Sequence, residues 1–268
     1  MVPRLNATYR IADHALTYAT FSEGFRSGGT NALRSRSILP RDYDSDKLKN
    51  YEIGLKSEWL DNTLRFNTVA YYMQWDDMQI QVNDPTVFSL GIVNFSEAGI
   101  RGFEAELSWL PAAGWKIDVN LALIDAQIAE DNIILSDSGE VIANVEKGTQ
   151  LPSRPEEKAS VAVQYTFQKS WLGAEPYARL DWSYVGESVN SLAGTESIVF
   201  TRGPTTQPDY GIGDLRLGLD ASQWSATLYV ENITDETAEQ FYNNRWGLRQ
   251  RVSINRPRTA GIRLRWRF

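Results

Sequence analysis

The chain has no cysteine and only one histidine, His14, among its 268 residues. Without cysteine, neither a disulfide framework nor a thiolate metal site can form. Hydrolases that use histidine need it beside a nucleophile or a carboxylate, whereas the sequence places His14 in a short turn. We therefore expect a solvated turn histidine, no enzymatic activity and no bound cofactor.

Long apolar runs and an excess of positive charge are also missing. No stretch of the sequence approaches the roughly 18 apolar residues of a transmembrane helix, so such a helix is excluded. The formal net charge of -7 argues against a nucleic-acid partner held through phosphate contacts. Barrel strands need only about 10 residues of alternating character, so a membrane location stays open.

The first residues do not read as a secretory signal, because no charged region is followed by an apolar one. An outer-membrane protein needs such a signal. We therefore expect that the signal has been removed or that the chain begins within a longer protein.

What the sequence does contain is an alternation of apolar and polar residues with period two, which indicates β-strands. The last segment shows it best, since Ala260, Ile262, Leu264, Trp266 and Phe268 alternate with Gly261, Arg263, Arg265 and Arg267. A soluble β-sandwich also alternates. The long and heavily charged second face favours a wide lumen that is filled by water or by a plug.

Turn and loop lengths carry more information than the alternation. The pattern predicts about eleven strands, near residues 3–12, 15–24, 48–59, 63–81, 91–109, 114–128, 156–168, 173–187, 209–221, 224–236 and 257–268. Short turns alternate strictly with long loops, which lie near residues 25–47, 82–90, 129–155, 188–208 and 237–256. The fold class predicted is therefore all-β, an antiparallel up-and-down transmembrane β-barrel with short periplasmic turns and long extracellular loops. An odd strand number leaves an unpaired edge in lipid, so either the count is off by one or strands are missing.

Five segments resemble the TonB-dependent receptor family of outer-membrane transporters, and their order and spacing are more specific than any one of them. They are YATFSEGFRSGGTN (Tyr18 to Asn31), YEIGLKSEWLDNTLRFNTVAYYMQWDDMQIQ (Tyr51 to Gln81), NFSEAGIRGFEAELSWLP (Asn94 to Pro111), YVENITDE (Tyr229 to Glu236) and RPRTAGIRLRWRF (Arg256 to Phe268).

The resemblance implies a barrel of about 22 strands with an N-terminal plug domain. Residues 1–268 are then expected to be the C-terminal part of that barrel, without the plug and the early strands. The implied function is active import across the bacterial outer membrane, driven by TonB acting through the plug. The implied partners are outer-membrane lipid and a scarce small-molecule ligand such as a ferric siderophore, a vitamin or a glycan.

The last long loop offers the candidate ligand-binding residues, namely Tyr242, Asn243, Arg245, Trp246 and Arg249. Aromatic, amide and guanidinium groups together suit an anionic chelate, a glycan or a peptide. An ordered loop without ligand contact remains the alternative. The row Arg263, Arg265 and Arg267 is expected in the lumen, where it pairs with plug carboxylates or with Glu104 and Glu106, or is simply solvated.

Two other functions stay open at this point. The first is a smaller, self-contained barrel of about 10 or 12 strands that acts as a porin or hydrolase. The second is a soluble β-rich binding module.

Four tryptophans beside short turns favour a membrane location, because they are placed as an interfacial girdle: Trp59, Trp109, Trp171 and Trp224. The acidic pair Asp76–Asp77 and the acidic loop near Glu130 are expected to be solvated rather than metal-binding.

Overall fold

The computed structural model describes residues 2–84, 86–87, 89–136, 138–199, 203–243 and 251–267. It contains one short helix, α1 (Glu196–Val199), and among the described residues no helix has the length and hydropathy of a membrane span. The strands, in chain order, are β1 (Arg4–Ala12), β2 (Ala15–Arg26), β3 (Gly29–Thr30), β4 (Asp42–Tyr43), β5 (Asp46–Trp59), β6 (Leu64–Asp76), β7 (Gln79–Asp84), β8 (Ser89–Asn94), β9 (Glu97–Trp109), β10 (Trp115–Ile128), β11 (Asn132–Leu135), β12 (Val141–Val145), β13 (Glu157–Thr166), β14 (Glu175–Val185), β15 (Ser188–Val189), β16 (Thr206–Gln207), β17 (Tyr210–Asp220), β18 (Trp224–Glu231), β19 (Glu239–Asn243), β20 (Arg251–Ile254) and β21 (Thr259–Trp266).

Eleven of these strands form a single antiparallel sheet in the order β1-β2-β5-β6-β9-β10-β13-β14-β17-β18-β21. Each strand pairs with the next one along the chain, so the predicted strand number and the up-and-down topology are confirmed. Within the described ranges β1 and β21 are the two edges and do not pair with each other. The sheet is therefore open, unlike the closed barrel of a small porin.

Three predicted strands were wrong at one end. The strand expected at 224–236 ends at Glu231, before Asn232, which adopts a φ of 54°. Asp77 adopts a φ of 51°, and this left-handed residue ends β6 after Asp76. Gln79–Asp84 and Ser89–Asn94 pair with each other outside the large sheet. Barrel strands were expected at 63–81 and 91–109, but residues 77–81 and 91–96 lie in the connection between β6 and β9. That connection was expected near 82–90. A loop hairpin has the same period of two as a barrel strand, so alternation cannot separate them.

The two faces of the sheet differ as the alternation predicts. One face exposes large apolar side chains across its whole width, including those of Ile53, Phe103, Leu180, Leu217 and Leu264. The other face carries charged side chains. An exposed apolar surface of this extent is incompatible with water on that side of the sheet.

Short turns join the strands at one end of the sheet, and tryptophans gather there. Trp59, Trp109 and Trp171 are exposed, as a girdle requires, while Trp224 is half-buried opposite Trp266 of β21. The lone histidine belongs to this girdle, because the His14 ring lies edge-on to Trp59 with 4.6 Å between the ring centroids.

Candidate functional site at the long-loop end

Each of the five long connections contains a two-stranded hairpin of its own, and all five rise from the same end of the large sheet. The pairs are β3–β4, β7–β8, β11–β12, β15–β16 and β19–β20. Backbone groups in these loops are thus satisfied within the loops, which gives them defined shapes.

The apolar core of the described chain lies mainly among these loops, and Ala98 of β9 with Ala126 and Ile128 of β10 form its base. Leu39, Val82, Phe95, Val145 and Ile198 are fully buried, and they come from four different connections. We call the parts of the first four long connections that share this core the loop cap. A shared core fixes the loops relative to one another before any ligand arrives.

Asp84 joins the first loop of the cap to the second. Its buried carboxylate accepts hydrogen bonds from the Ser37 hydroxyl, from the backbone N–H of Ile38 at 2.8 Å and from the backbone N–H of Thr86 at 2.7 Å. Burial raises the pKa of Asp84, but the hydrogen bonds outweigh burial and hold that pKa below its ordinary value. The group is therefore a charged acceptor at neutral pH.

Asn31 makes a second link between the same two loops. Its Nδ2 group donates to the carbonyls of Pro40 and Ile92, both at 2.8 Å, and its Oδ1 atom accepts from the backbone N–H of Ile92 at 2.7 Å. The buried Asn31 side chain thus pairs with the backbone of β8 in the way that a neighbouring strand would.

The cap is fastened to the sheet at Asp46, the first residue of β5. The buried Asp46 carboxylate accepts from Nε of Arg26 at 2.8 Å and from Nε1 of Trp75 at 2.9 Å. The Arg26 guanidinium also lies 5.3 Å from the Trp75 ring centroid and donates to the carbonyl of Gln79 at 3.0 Å. Three barrel strands, β2, β5 and β6, are held together where the cap begins.

The fifth loop is held against the fourth through Tyr242. The backbone N–H of Tyr242 donates to Oε1 of Gln207 at 3.2 Å, and its carbonyl accepts from Nδ2 of Asn190 at 2.9 Å. Gln207 is itself buried and donates to the Ser188 hydroxyl at 2.7 Å. The Tyr242 hydroxyl donates to the Glu239 carboxylate, and this hydrogen bond raises the pKa of Tyr242 above its ordinary value.

Two of the five predicted ligand-binding residues fall within the described structure. Tyr242 is half-buried in β19, and Asn243 is exposed opposite Arg251 of β20. The other three, Arg245, Trp246 and Arg249, lie outside the described residues, so a role in binding stays a prediction for all five. Gln207 and Asn190 could not be recognised from the sequence, because a single amide in a loop matches no motif.

The charged face of the sheet carries a network of four side chains on β14 and β17, namely Arg179, Asp181, Asp214 and Arg216. A separate ion pair on β10 joins Lys116 to Asp118. Arg179 and Arg216 are directly opposite in the register, where two like charges repel. Asp181 relieves this repulsion by bonding both, with Arg179 at 2.7 Å. Much of the wall charge is thus balanced within the wall.

The arginine row of β21 makes weaker contacts. The Arg263 guanidinium lies 5.3 Å from the Tyr229 ring centroid, and Arg267 lies 3.5 Å from Asp220. In the portion of the chain that the structure covers, no ion pair joins this row to Glu104 or Glu106.

The acidic candidates do not converge on a metal site. Asp76 pairs with Lys49 at 2.8 Å, whereas the backbone turns away at Asp77. The described ranges hold no group of three or more histidine, aspartate or glutamate side chains that is placed to bind a metal ion.

Residues 1–233 match the model of the TonB dependent receptor-like β-barrel family. The chain belongs to this family. Known TonB-dependent receptors match almost all of it. The pesticin receptor of Yersinia pestis is 25% identical over 267 residues, which cover 99% of this chain and 36% of the relative. The ferripyoverdine receptor of Pseudomonas aeruginosa is 26% identical over 280 residues, which cover 100% of this chain and 30% of the relative.

A solved TonB-dependent receptor has the same fold. The crystal structure of the ferric yersiniabactin uptake receptor of Yersinia pestis superposes with a TM-score of 0.74 at 22% identity, covering 99% of this chain and 37% of that one. The chain therefore spans about a third of the length of the relatives that it matches.

Membership of this family indicates what each face of the sheet contacts. TonB-dependent receptors are outer-membrane β-barrel proteins of Gram-negative bacteria, so the apolar face contacts lipid and the charged face lines the lumen. The short turns are periplasmic and the loop cap is extracellular.

Proposed function

We propose that this chain is the C-terminal part of the barrel of a receptor with about 22 strands. The complete receptor imports a scarce ligand across the outer membrane, driven by TonB acting through a plug domain. This chain supplies half of the wall and five of the extracellular loops. The observation that carries the proposal is the loop cap, because a preorganised surface of packed hairpins favours capture of a dilute ligand.

The ligand class that the chemistry favours is an anionic ferric chelate, such as a ferric siderophore. Arg245, Arg249 and Arg251 lie within seven consecutive residues of the fifth loop. Guanidinium groups bind anionic oxygen atoms through paired hydrogen bonds. The names of two relatives point the same way, since one is a ferripyoverdine receptor and the other a ferric yersiniabactin uptake receptor.

In this proposal the residues of the chain bind and orient, and none performs covalent chemistry. Tyr242 donates a hydrogen bond to Gln207 and accepts one from Asn190, and these two bonds hold the base of the arginine-bearing loop in place. Ligand bound there and on the outer apex of the plug enters the lumen when TonB pulls the plug. The balanced charges of β10, β14 and β17 leave that wall with little net attraction for a passing anion.

Uptake assays test the proposal. The complete receptor would be expressed in a Gram-negative strain that lacks its own siderophore receptors, with and without TonB. A panel of ferric siderophores carrying radioactive iron would be compared with labelled cobalamin and maltodextrin. We expect TonB-dependent uptake of a ferric siderophore. Transport of cobalamin or maltodextrin alone would withdraw the siderophore assignment, and uptake without TonB would withdraw active import.

A double variant tests the site. Arg245→Gln with Arg249→Gln should reduce siderophore affinity by about tenfold or more, corresponding to about 1.4 kcal/mol. Arg154→Gln is the matched control, because Arg154 is an exposed arginine of the third loop. Equal affinity in both proteins would remove the fifth loop from the binding site.

A further inference from the structure

The hairpin β11–β12 exposes an apolar surface in this structure. Ile133, Leu135 and Val141 are 60%, 48% and 62% exposed. Ile134 and Ile142 point to the opposite face of the same hairpin and are buried in the core of the loop cap. The three exposed side chains, which we call the apolar triad, are therefore displayed on an anchored hairpin.

The surroundings of the apolar triad are acidic. Residues 129–148 contain five carboxylates and one lysine in the sequence. Four of these carboxylates belong to the described residues and are exposed: Glu130, Asp131, Glu140 and Glu146. An anionic ferric chelate is repelled by such a surface, so the hairpin is suited to a different occupant from that of the arginine-bearing fifth loop.

The position of the hairpin in the sheet argues against cover by neighbouring strands. It rises between β10 and β13, with five barrel strands before β10 and four after β13. The hairpin β19–β20 also exposes apolar side chains, but it stands beside the edge strand β21, where closing strands of a complete barrel would join. The triad lies far from both edges.

The outer edge of β11 offers backbone groups as well. Within the described residues β11 pairs with β12 alone, so its other edge is not part of any sheet. An extended peptide can add to such an edge through main-chain hydrogen bonds while alternate side chains reach the adjoining surface.

We propose that the hairpin β11–β12 is an extracellular docking surface for a cationic, amphipathic polypeptide segment. The apolar triad contacts the apolar side chains of that segment, and the surrounding carboxylates form ion pairs with its basic side chains. This surface is separate from the chelate-binding loop of the proposed function and does not depend on it.

Model peptides test this docking surface. The complete receptor would be placed in zwitterionic nanodiscs, and binding to empty nanodiscs would be subtracted. The probes are synthetic peptides of about twelve residues that alternate lysine with leucine, glutamate with leucine, or lysine with serine. Receptor variants are the triple change Ile133→Ser, Leu135→Ser and Val141→Ser, and the pair Glu140→Gln and Glu146→Gln. Leu90→Ser is the matched control, because Leu90 is 54% exposed on another hairpin of the cap.

The expected result is binding of the lysine–leucine peptide alone. The triple variant should weaken it by about tenfold or more, the glutamine pair should weaken it less, and Leu90→Ser should leave it within about twofold. Equal affinity for parent and triple variant overturns the proposal, and so does a failure of the lysine–leucine peptide to bind. Equal binding of the glutamate–leucine peptide also overturns it. Loss of folding in the triple variant alone would show that the chain itself covers the triad, which again overturns the proposal.

Discussion

Tyr71 of β6 lies across Gly102 of β9, directly opposite it in the register. A Cβ atom at position 102 would come within 2.0 Å of the Tyr71 ring. Three further pairs on the lumen face have the same arrangement: Tyr18 over Gly54, Tyr177 over Gly218 and Tyr229 over Gly261. Each tyrosine covers the backbone that a glycine would otherwise leave open in the sheet.

The Tyr71 ring occupies the space that a side chain at position 102 would need. Gly102→Ala should lower the free energy of unfolding by about 1–3 kcal/mol, because the ring must leave its place. Gly99→Ala on the same strand is the control, since its Cβ would meet only Tyr72 at an ordinary 3.9 Å. Urea unfolding of the complete receptor in micelles measures both. If the alanine at 102 costs as much in a Tyr71→Ser background, the ring is not the cause.

Acidification should loosen the loop cap at Asp84. The folded pKa of Asp84 is lowered, so its stabilising contribution is complete above the unfolded pKa of about 3.9 and is lost as pH falls through the folded pKa. Protection factors for hydrogen exchange at residues 31–40 should therefore stay high at neutral pH and fall only below about pH 4. Asp84→Asn should speed that exchange already at pH 7, whereas Asp77→Asn, at an exposed position of the same loop, should not. Unchanged exchange in Asp84→Asn would contradict the role of this carboxylate.

Asp181 keeps two opposed arginines together on the lumen wall. Asp181→Asn should destabilise the barrel by about 1–3 kcal/mol, because Arg179 and Arg216 then face each other without a shared carboxylate. Asp220→Asn should cost less than about 1 kcal/mol, since Asp220 is more than half exposed and lies 3.5 Å from Arg267. Urea unfolding at low and high salt gives the comparison, and combining Asp181→Asn with Arg216→Gln should recover part of the loss. No recovery in the double variant would rule out repulsion as the cause.

The apolar face of β17 should reject charge. Leu217→Arg is expected to cost about 2–4 kcal/mol near the membrane midplane, while Leu217→Ile should be nearly neutral. Refolding yield into micelles, scored by heat modifiability, measures the effect. Equal yields for arginine and parent would mean that Leu217 does not face lipid.

The strands could be predicted from the sequence because their signal is local. Alternation along Phe103 to Trp109 and along Thr259 to Trp266 reports one apolar and one polar face whatever the rest of the chain does. The ends of β6 and β9 could not be predicted, since the hairpin of Gln79–Asp84 and Ser89–Asn94 has the same period.

The loop cap could not be predicted at all. Its core joins Leu39 to Phe95 and Ile198, residues far apart in the chain that no sequence window brings together. In the sequence, Asp84 and Gln207 look like ordinary polar loop residues, because their hydrogen-bond partners lie far away along the chain. For the fifth loop, composition offered candidate ligand-binding residues, and their role stays a prediction. It did not indicate that Tyr242 is held by a neighbouring hairpin.

Because the sheet has eleven antiparallel strands, β1 begins and β21 ends on opposite sides of the membrane. Arg4 opens β1 level with Ser22, at the extracellular end, whereas Trp266 closes β21 beside Trp224, at the periplasmic end. An epitope placed before Arg4 would be displayed to antibody on intact cells, and one placed after Trp266 would be hidden until the outer membrane is opened.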